Sequence, residues 1–200
     1  MNTESLNINT EQIRSFIAIE LPPEVRQALS RFQEKLKAGG RNVKWVAPGN
    51  MHLTLQFLGN IDAKSTDRII SAIEQGAGGV HPFRIDISGT GVFPDSRRVR
   101  VVWVGLAGEL ENLSRLQKNI GEKLAPLGFP PENRPFTPHL TLGRVRDDCR
   151  PEERASLGQL IERTAFSGKY TVDVKSVNLM KSQLTREGPI YTRLGSITLK

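Results

Sequence analysis

The tetrapeptide His-Leu-Thr-Leu occurs twice in this chain, at residues 52–55 and at 139–142, each time after a proline-containing turn. In a β-strand alternate side chains share a face, so the histidine and threonine of each copy point one way and the two leucines the other. The leucines are then core anchors, and each strand presents one imidazole and one hydroxyl on its opposite face. This duplication predicts two similar lobes that face each other across one cleft.

The order of the remaining elements supports the same architecture. Strands and helices are mixed without strict βαβ alternation, which favours mainly antiparallel sheets over a doubly wound parallel sheet. We therefore predict an α+β, bilobal fold: two pseudo-symmetric lobes of mainly antiparallel sheet with outer helices around a central cleft. The last two strands are expected to form a hairpin. Hydrophobic spacing predicts helices at about 23–38, 63–75, 110–124 and 152–163, and strands at about 16–19, 43–46, 52–58, 83–87, 99–104, 170–180 and 190–199.

The chain is divided into a polar N-terminal tail, residues 1–13, and a single bilobal domain, residues 14–200. The tail has no basic run or apolar stretch and is not a signal peptide. No segment approaches the roughly 20 apolar residues needed to cross a bilayer. The one cysteine, Cys149, cannot form an intramolecular disulfide and has no Cys or His at a metal-ligand spacing. These features predict a cytoplasmic protein without a membrane segment, and we expect a monomer.

The balance of charge is basic. Lys and Arg number 28 against 21 Asp and Glu, a formal net charge of +7. Such a charge favours approach to phosphate-bearing partners, although it is equally typical of a merely soluble basic surface. Arginines cluster at 97, 98 and 100 and again at 144, 146 and 150. The second cluster begins just after the second tetrapeptide, which makes Arg144 a candidate phosphate contact.

The two tetrapeptides can perform acid–base chemistry on phosphate. An imidazole has an unperturbed pKa of about 6.5, so of His52 and His139 one can be neutral while the other is protonated. On a 2′,3′-cyclic phosphate, the neutral histidine would take a proton from water while the charged one protonates the departing ribose oxygen. Thr54 and Thr141 would hydrogen-bond the non-bridging oxygens. This chemistry requires no metal and no cofactor, and it does not by itself say which histidine is the acid.

Other interpretations of the histidines are weaker. A lone strand histidine is more often structural, and we interpret His81, which has no motif around it, in that way. Metal binding by His52 and His139 is disfavoured because two imidazoles and two hydroxyls make a poor first coordination shell. A serine nucleophile is disfavoured because the chain has no Gly-x-Ser-x-Gly elbow.

With these motifs and their flanks in order, the sequence resembles the two-histidine (2H) phosphoesterases, and among them the bacterial and archaeal RNA 2′,3′-cyclic phosphodiesterases, historically described as 2′-5′ RNA ligases. The resemblance extends over nearly all of residues 14–200. It is carried by Arg14-Ser15-Phe16-Ile17-Ala18-Ile19 with Leu21-Pro22-Pro23, by Trp45-Val46 with residues 50–55 and Phe57-Leu58-Gly59, by residues 136–144, and by Leu184, Gly188-Pro189 and Tyr191.

The resemblance implies a bilobal fold of two antiparallel sheets and hydrolysis of a cyclic phosphate end to a 2′-phosphomonoester. It implies that His52 is the proton donor and His139 the acceptor, that Thr54 and Thr141 bind phosphate, and that Arg144 contacts phosphate or substrate. One departure concerns residue 56. Relatives often have lysine there, whereas this chain has Gln56, which strict alternation would place on the same face as His52.

Three alternatives stay open from the sequence. The same residues could join RNA ends through a 2′-5′ linkage, because acid–base catalysis is reversible, or hydrolyse cyclic nucleotides. A third possibility is a non-catalytic RNA-binding protein, although arginine or lysine would bind phosphate better than imidazole does. The expected partner is RNA with a 2′,3′-cyclic phosphate terminus, such as a tRNA fragment.

Overall fold

A computed structural model describes residues 11–132 and 134–200. Most of the tail predicted for residues 1–13 lies outside the described residues, and the first strand begins at Gln12. The helices are α1 (Pro23–Lys37), α2 (Thr66–Ala77), α3 (Leu110–Leu124) and α4 (Pro151–Arg163). The strands are β1 (Gln12–Glu20), β2 (Val43–Trp45), β3 (His52–Asp62), β4 (Phe83–Phe93), β5 (Val101–Gly108), β6 (Leu140–Val145), β7 (Tyr170–Val174), β8 (Ser176–Thr185) and β9 (Gly188–Thr198).

The strands form two lobes that meet at the two motif strands. Their order is β7-β4-β5-β6-β3-β1-β8-β9, with β2 added beside β6, and every pairing is antiparallel. We call β3, β1, β8 and β9 the first lobe and β6, β5, β4, β7 and β2 the second lobe. They are joined where Leu53 pairs with Leu140, the residue after each motif histidine. The predicted α+β bilobal architecture is confirmed.

Helices cross from one lobe to the other. α1 follows β1 of the first lobe, yet its Gln33 bonds the second lobe. Nε2 of Gln33 donates to the carbonyl oxygen of Leu142 on β6 (2.8 Å) and to that of Val46, directly after β2 (2.9 Å). In the same way α3 follows β5 of the second lobe but packs against α2 and β3. α4 covers the second lobe against β4. The two lobes therefore share one set of covering helices.

Each motif strand contains a β-bulge at the same place. The extra residue is the last leucine of each tetrapeptide, Leu55 opposite the Ile17–Ala18 step and Leu142 opposite the Val102–Trp103 step. A bulge shifts the alternation of faces by one residue. The fifth residue after each histidine therefore lines the cleft: Phe57 in the first lobe and Arg144 in the second.

The placement expected for Gln56 beside His52 is therefore wrong. The bulge turns this side chain away from the cleft, where it is 3% exposed. Its Nε2 donates to the carbonyl oxygens of Phe129 (3.2 Å) and Pro130 (3.3 Å). Gln56 thus supports the segment that leads to the second motif rather than contacting the cleft.

The strand predicted over residues 170–180 is also wrong, because it is two strands in different lobes. β7 pairs with β4, whereas β8 pairs with β9 in the expected hairpin. One residue, Lys175, joins them, although β7 lies at one edge of the sheet and β8 near the other. The sheet must therefore be strongly curled. No helix among the described residues is long and apolar enough to span a membrane.

Candidate active site

A cleft of about 690 Å³ lies where the two lobes meet. All five side chains that the sequence singled out line it: His52, Thr54, His139, Thr141 and Arg144. The pseudo-twofold arrangement explains this convergence, because the two motif strands β3 and β6 are neighbours in the sheet and each borders the other lobe. His81 is exposed and lies elsewhere, where its Nδ1 bonds the carbonyl oxygen of Lys200 at 2.6 Å.

The two cleft histidines are held by the same local bond. Nδ1 of His52 lies 2.8 Å from the carbonyl oxygen of Asn50, and Nδ1 of His139 lies 2.7 Å from that of Thr137. A carbonyl oxygen only accepts, so Nδ1 carries hydrogen in both rings. Nε2 is consequently the nitrogen of each imidazole that can gain or lose a proton toward a ligand.

Aromatic side chains fix the planes of both imidazoles. Phe16 stacks on His52 with ring centroids 4.7 Å apart, and Tyr191 meets the same ring edge-on at 5.2 Å. Phe93 meets His139 edge-on at 5.0 Å. Burial among these rings lowers the pKa of both histidines below the ordinary value, because it disfavours the charged form.

The charged neighbours of the two histidines differ in sign. Glu20 is the cross-strand partner of His52, and its carboxylate acts against the burial that lowers the pKa of that histidine. Arg144 acts with burial on His139 and lowers its pKa further. In the second lobe the strand position that corresponds to Glu20 is Gly105, which follows Val104, the partner of Leu140. The pseudo-symmetric frame therefore holds an electrostatically asymmetric pair.

Hydroxyls and arginines supply the remaining polar surface of the cleft. Neither Thr54 nor Thr141 donates its hydroxyl to another described residue. Arg14 and Arg144 both line the cleft, and no Asp or Glu is among the described residues that do so. The described residues also contain no group of three His, Cys, Asp or Glu side chains close enough to hold a metal ion. Such a lining suits an anion bound between the two imidazoles.

Sequence reasoning did not assign roles to several residues that the fold brings into the cleft, and four of them are Arg14, Phe57, Leu184 and Tyr191. All four belong to segments that carried the resemblance, and that was the only signal for them. Phe57 could not be placed by alternation, because the bulge at Leu55 reverses its face.

Two imidazoles with a hydroxyl beside each, presented by duplicated strands of two related lobes, define a phosphoesterase of the two-histidine class. The chain belongs to the LigT-like phosphoesterase family, whose sequence profile matches it twice, over residues 19–103 and 104–191. Each match contains one His-Leu-Thr-Leu segment, so the family assignment covers both halves of the site.

Relatives support the assignment along nearly the whole chain. An RNA 2′,3′-cyclic phosphodiesterase of Methanothermobacter thermautotrophicus is 39% identical over 181 residues, covering 90% of this chain and 96% of the relative. One of Aquifex aeolicus is 34% identical, covering 90% and 94%. Among solved structures, TT0787 of Thermus thermophilus superposes with a TM-score of 0.76 at 30% identity, covering 94% and 98%. Escherichia coli LigT complexed with 3′-AMP gives 0.76 at 27% identity, covering 95% and 99%.

Proposed function

We propose that this protein hydrolyses the 2′,3′-cyclic phosphate ends of RNA to 2′-phosphomonoesters, with His52 as general acid and His139 as general base. The observation that carries the proposal is the pair of imidazoles in one cleft, each bonded through Nδ1 to a backbone carbonyl and each with a threonine hydroxyl beside it. The names of the relatives supply the substrate class. The reaction is proposed to occur in the cytoplasm on RNA such as tRNA fragments, with the protein as a monomer.

The proposed reaction is a single in-line displacement at phosphorus. Nε2 of His139 removes a proton from water as the water oxygen forms a bond to phosphorus. The bond from phosphorus to O3′ breaks, and Nε2 of protonated His52 donates its proton to O3′, which leaves a 3′-hydroxyl and a 2′-phosphate. Exchange of protons with solvent returns both histidines to their starting forms.

The charges around the histidines support this direction of proton transfer. A general acid must start protonated, and the carboxylate of Glu20 favours the charged form of His52. A general base must start neutral, and the guanidinium of Arg144 disfavours a second positive charge on His139. The sequence chemistry left the two roles interchangeable, and this difference in neighbours is the physical argument that separates them.

The hydroxyls of Thr54 and Thr141 and the guanidinium of Arg144 are proposed to bind the phosphate. Thr54 and Thr141 lie on the same strand faces as the histidines and would donate to the non-bridging oxygens. Arg144 would add a charge-assisted hydrogen bond where negative charge increases in the transition state. No step of this scheme uses a metal ion.

The test is an assay of EDTA-treated protein on RNA with a 2′,3′-cyclic phosphate end. Wild-type protein should release a 2′-phosphate end at the same rate with and without EDTA. His52→Ala and His139→Ala should each lower turnover by about 10²- to 10⁴-fold, the range for loss of a general acid or base. His81→Ala is the matched control and should retain wild-type turnover, because His81 lies outside the cleft.

Two outcomes would overturn the proposal. Near-wild-type turnover by either cleft variant would remove that histidine from the mechanism, and a requirement for added divalent ions would contradict metal-independent chemistry. A partner RNA with a 5′-hydroxyl should be included in a parallel reaction. Joined product instead of a free 2′-phosphate would assign ligation as the function.

A further inference from the structure

We propose that Arg14, with Asn60, forms a second phosphate subsite that binds the phosphate on the 5′ side of the terminal nucleotide, which makes the enzyme selective for RNA chains over isolated nucleosides. The inference rests on the proposed function, because it takes the cyclic phosphate to be bound between His52 and His139. It extends that function by naming a contact with a part of the substrate that does not react.

Arg14 and Asn60 project into the same cleft as the histidines. They are cross-strand partners on β1 and β3, and both line the cleft. Arg14 is exposed and forms no salt bridge with a described carboxylate. Two other cations of this lobe differ, because Lys181 pairs with Glu11 and Arg193 pairs with Glu20. Arg14 is thus a cation of the cleft whose charge the described residues leave uncompensated.

The strand geometry separates Arg14 from the reacting centre. Thr54 pairs with Ala18, which lies four residues after Arg14 on β1, a strand whose own residues are not the bulged ones. At about 3.3 Å per residue, the two backbone positions are roughly 13 Å apart. Arg14 is therefore displaced along the cleft from Thr54, but it is within the same continuous cleft.

The effects of Arg144 and Arg14 on nearby pKa values also differ. The charge of Arg144 affects the pKa of His139, whereas Arg14 is not among the groups that affect either cleft histidine. Burial raises the pKa of Tyr191, and Arg144 and Arg14 both act against that rise. Tyr191 is therefore close to both guanidinium groups, and its ring also meets that of His52 edge-on at 5.2 Å.

The chemistry of the substrate identifies the anion that would reach Arg14. In an RNA whose last ribose carries a 2′,3′-cyclic phosphate, the chain continues only through the 5′ oxygen of that ribose. The next anion along the molecule is therefore the 5′ phosphate. A guanidinium binds phosphate through two parallel N–H donors, and the side-chain amide of Asn60 can add another donor.

Only one end of the cleft carries this feature. Thr141 pairs with Trp103 as Thr54 pairs with Ala18, so the position in the second lobe that corresponds to Arg14 is Val99. Val99 is fully buried and offers no charge. A centre with near-twofold symmetry could accept a cyclic phosphate in two orientations, and Arg14, which has no counterpart at the corresponding position of the second lobe, selects the orientation in which the RNA chain extends toward it.

The experiment compares adenosine 2′,3′-cyclic phosphate with the same compound carrying a 5′ phosphate. The ratio of their kcat/KM values cancels any effect on the chemical step that the two substrates share. In wild-type protein the 5′ phosphate should raise kcat/KM by about 10- to 100-fold, the range of a charge-assisted hydrogen bond. Arg14→Met should bring the ratio close to one. Arg14→Lys should give an intermediate ratio, because lysine keeps the positive charge but lacks the two parallel N–H donors of the guanidinium.

The control is Arg31→Met, which removes an exposed arginine of α1 outside the cleft and should leave the ratio unchanged. An unchanged ratio in Arg14→Met, or a wild-type ratio near one, would overturn the subsite. Calorimetric binding of adenosine 2′-phosphate and adenosine 2′,5′-bisphosphate provides a second ratio without turnover. If wild-type protein hydrolyses neither these two compounds nor RNA with a 2′,3′-cyclic phosphate end, the proposed function fails, and the binding ratio alone decides whether Arg14 holds the 5′ phosphate.

Discussion

At the scale of single residues, the two cleft histidines have the same local bonds and opposite charged neighbours. Each imidazole is held through Nδ1 by the carbonyl oxygen two residues earlier. Glu20 lies opposite His52 and is itself held by Asn178, at 2.7 Å, and by Arg193. These neighbours, rather than the motifs, differ between the proposed acid His52 and the proposed base His139.

The dependence of kcat/KM on pH tests this distinction. Burial lowers the pKa of both histidines, so the optimum should lie on the acidic side of about 6.5, the unperturbed value for imidazole. Glu20→Gln removes a group that raises the pKa of His52, so the alkaline limb should move to lower pH. Arg144→Gln removes a group that lowers the pKa of His139, so the acidic limb should move to higher pH.

The measurement is kcat/KM across the pH range for wild-type protein and both variants, with Glu24→Gln on the exposed face of α1 as the control that moves neither limb. Which limb moves is the informative result. If Glu20→Gln shifts the acidic limb and Arg144→Gln the alkaline one, the two histidines have the opposite roles. Apparent values belong to the coupled pair, so the comparison uses shifts between variants.

At the scale of secondary-structure elements, α2 and α3 cross at a close approach that depends on Gly76. A Cβ atom added there would lie 2.6 Å from Cα and 2.8 Å from the backbone nitrogen of Ile120. Backbone atoms of a neighbouring helix cannot move aside as a flexible side chain can. Gly121, one residue further along α3, has more room, since an added Cβ atom would lie 3.5 Å from Oε1 of Gln56.

Gly76→Ala and Gly121→Ala should therefore change stability in opposite directions. Alanine at residue 76 must push two helices apart, which should lower the free energy of unfolding by about 1–3 kcal/mol. Alanine at residue 121 meets only ordinary contacts and has the better helix propensity, so it should raise that free energy by up to about 1 kcal/mol. Urea denaturation of both variants measures this, and equal effects at the two glycines would contradict the crossing described.

In the molecule as a whole, exchanged helices connect the two lobes. α1 leaves the first lobe and bonds the second through Gln33, while α3 leaves the second lobe and packs on β3 and α2 of the first. Lys175 additionally connects β7 of the second lobe directly to β8 of the first. Neither lobe can lose its structure without uncovering apolar surface of the other.

Unfolding should accordingly be a single cooperative transition. Both tryptophans, Trp45 on β2 and Trp103 on β5, belong to the second lobe, so their fluorescence reports that lobe alone. Far-ultraviolet circular dichroism reports helices and strands of both lobes. The two urea curves should coincide, and a fluorescence midpoint clearly separated from the dichroism midpoint would show that the lobes unfold independently.

Most elements could be predicted from the sequence because they depend on local periodicity. The predicted α3 agrees with the observed helix at both ends, since its buried leucines and isoleucine recur at helical spacing. The single strand predicted over residues 170–180 was wrong because β7 and β8 follow each other closely along the chain. Alternation of side chains does not say which strands each of them pairs with. The face predicted for Gln56 was wrong because it depends on a bulge, and the bulge depends on the register of β3 against β1.

The amino-acid sequence alone indicates the chemical groups of the site, two histidines each with a threonine nearby. Two copies of one tetrapeptide, with alternation, placed an imidazole and a hydroxyl on one face of each of two strands. The side chains that surround these groups depend on how the strands pair in three dimensions. Glu20 lies opposite His52, Phe57 rather than Gln56 lines the cleft, and Arg14 lines it beside Asn60, because strand register is set by contacts between residues far apart in the chain. Local sequence patterns therefore predict the reactive side chains, whereas the difference between the two halves of the site arises from pairing between distant strands.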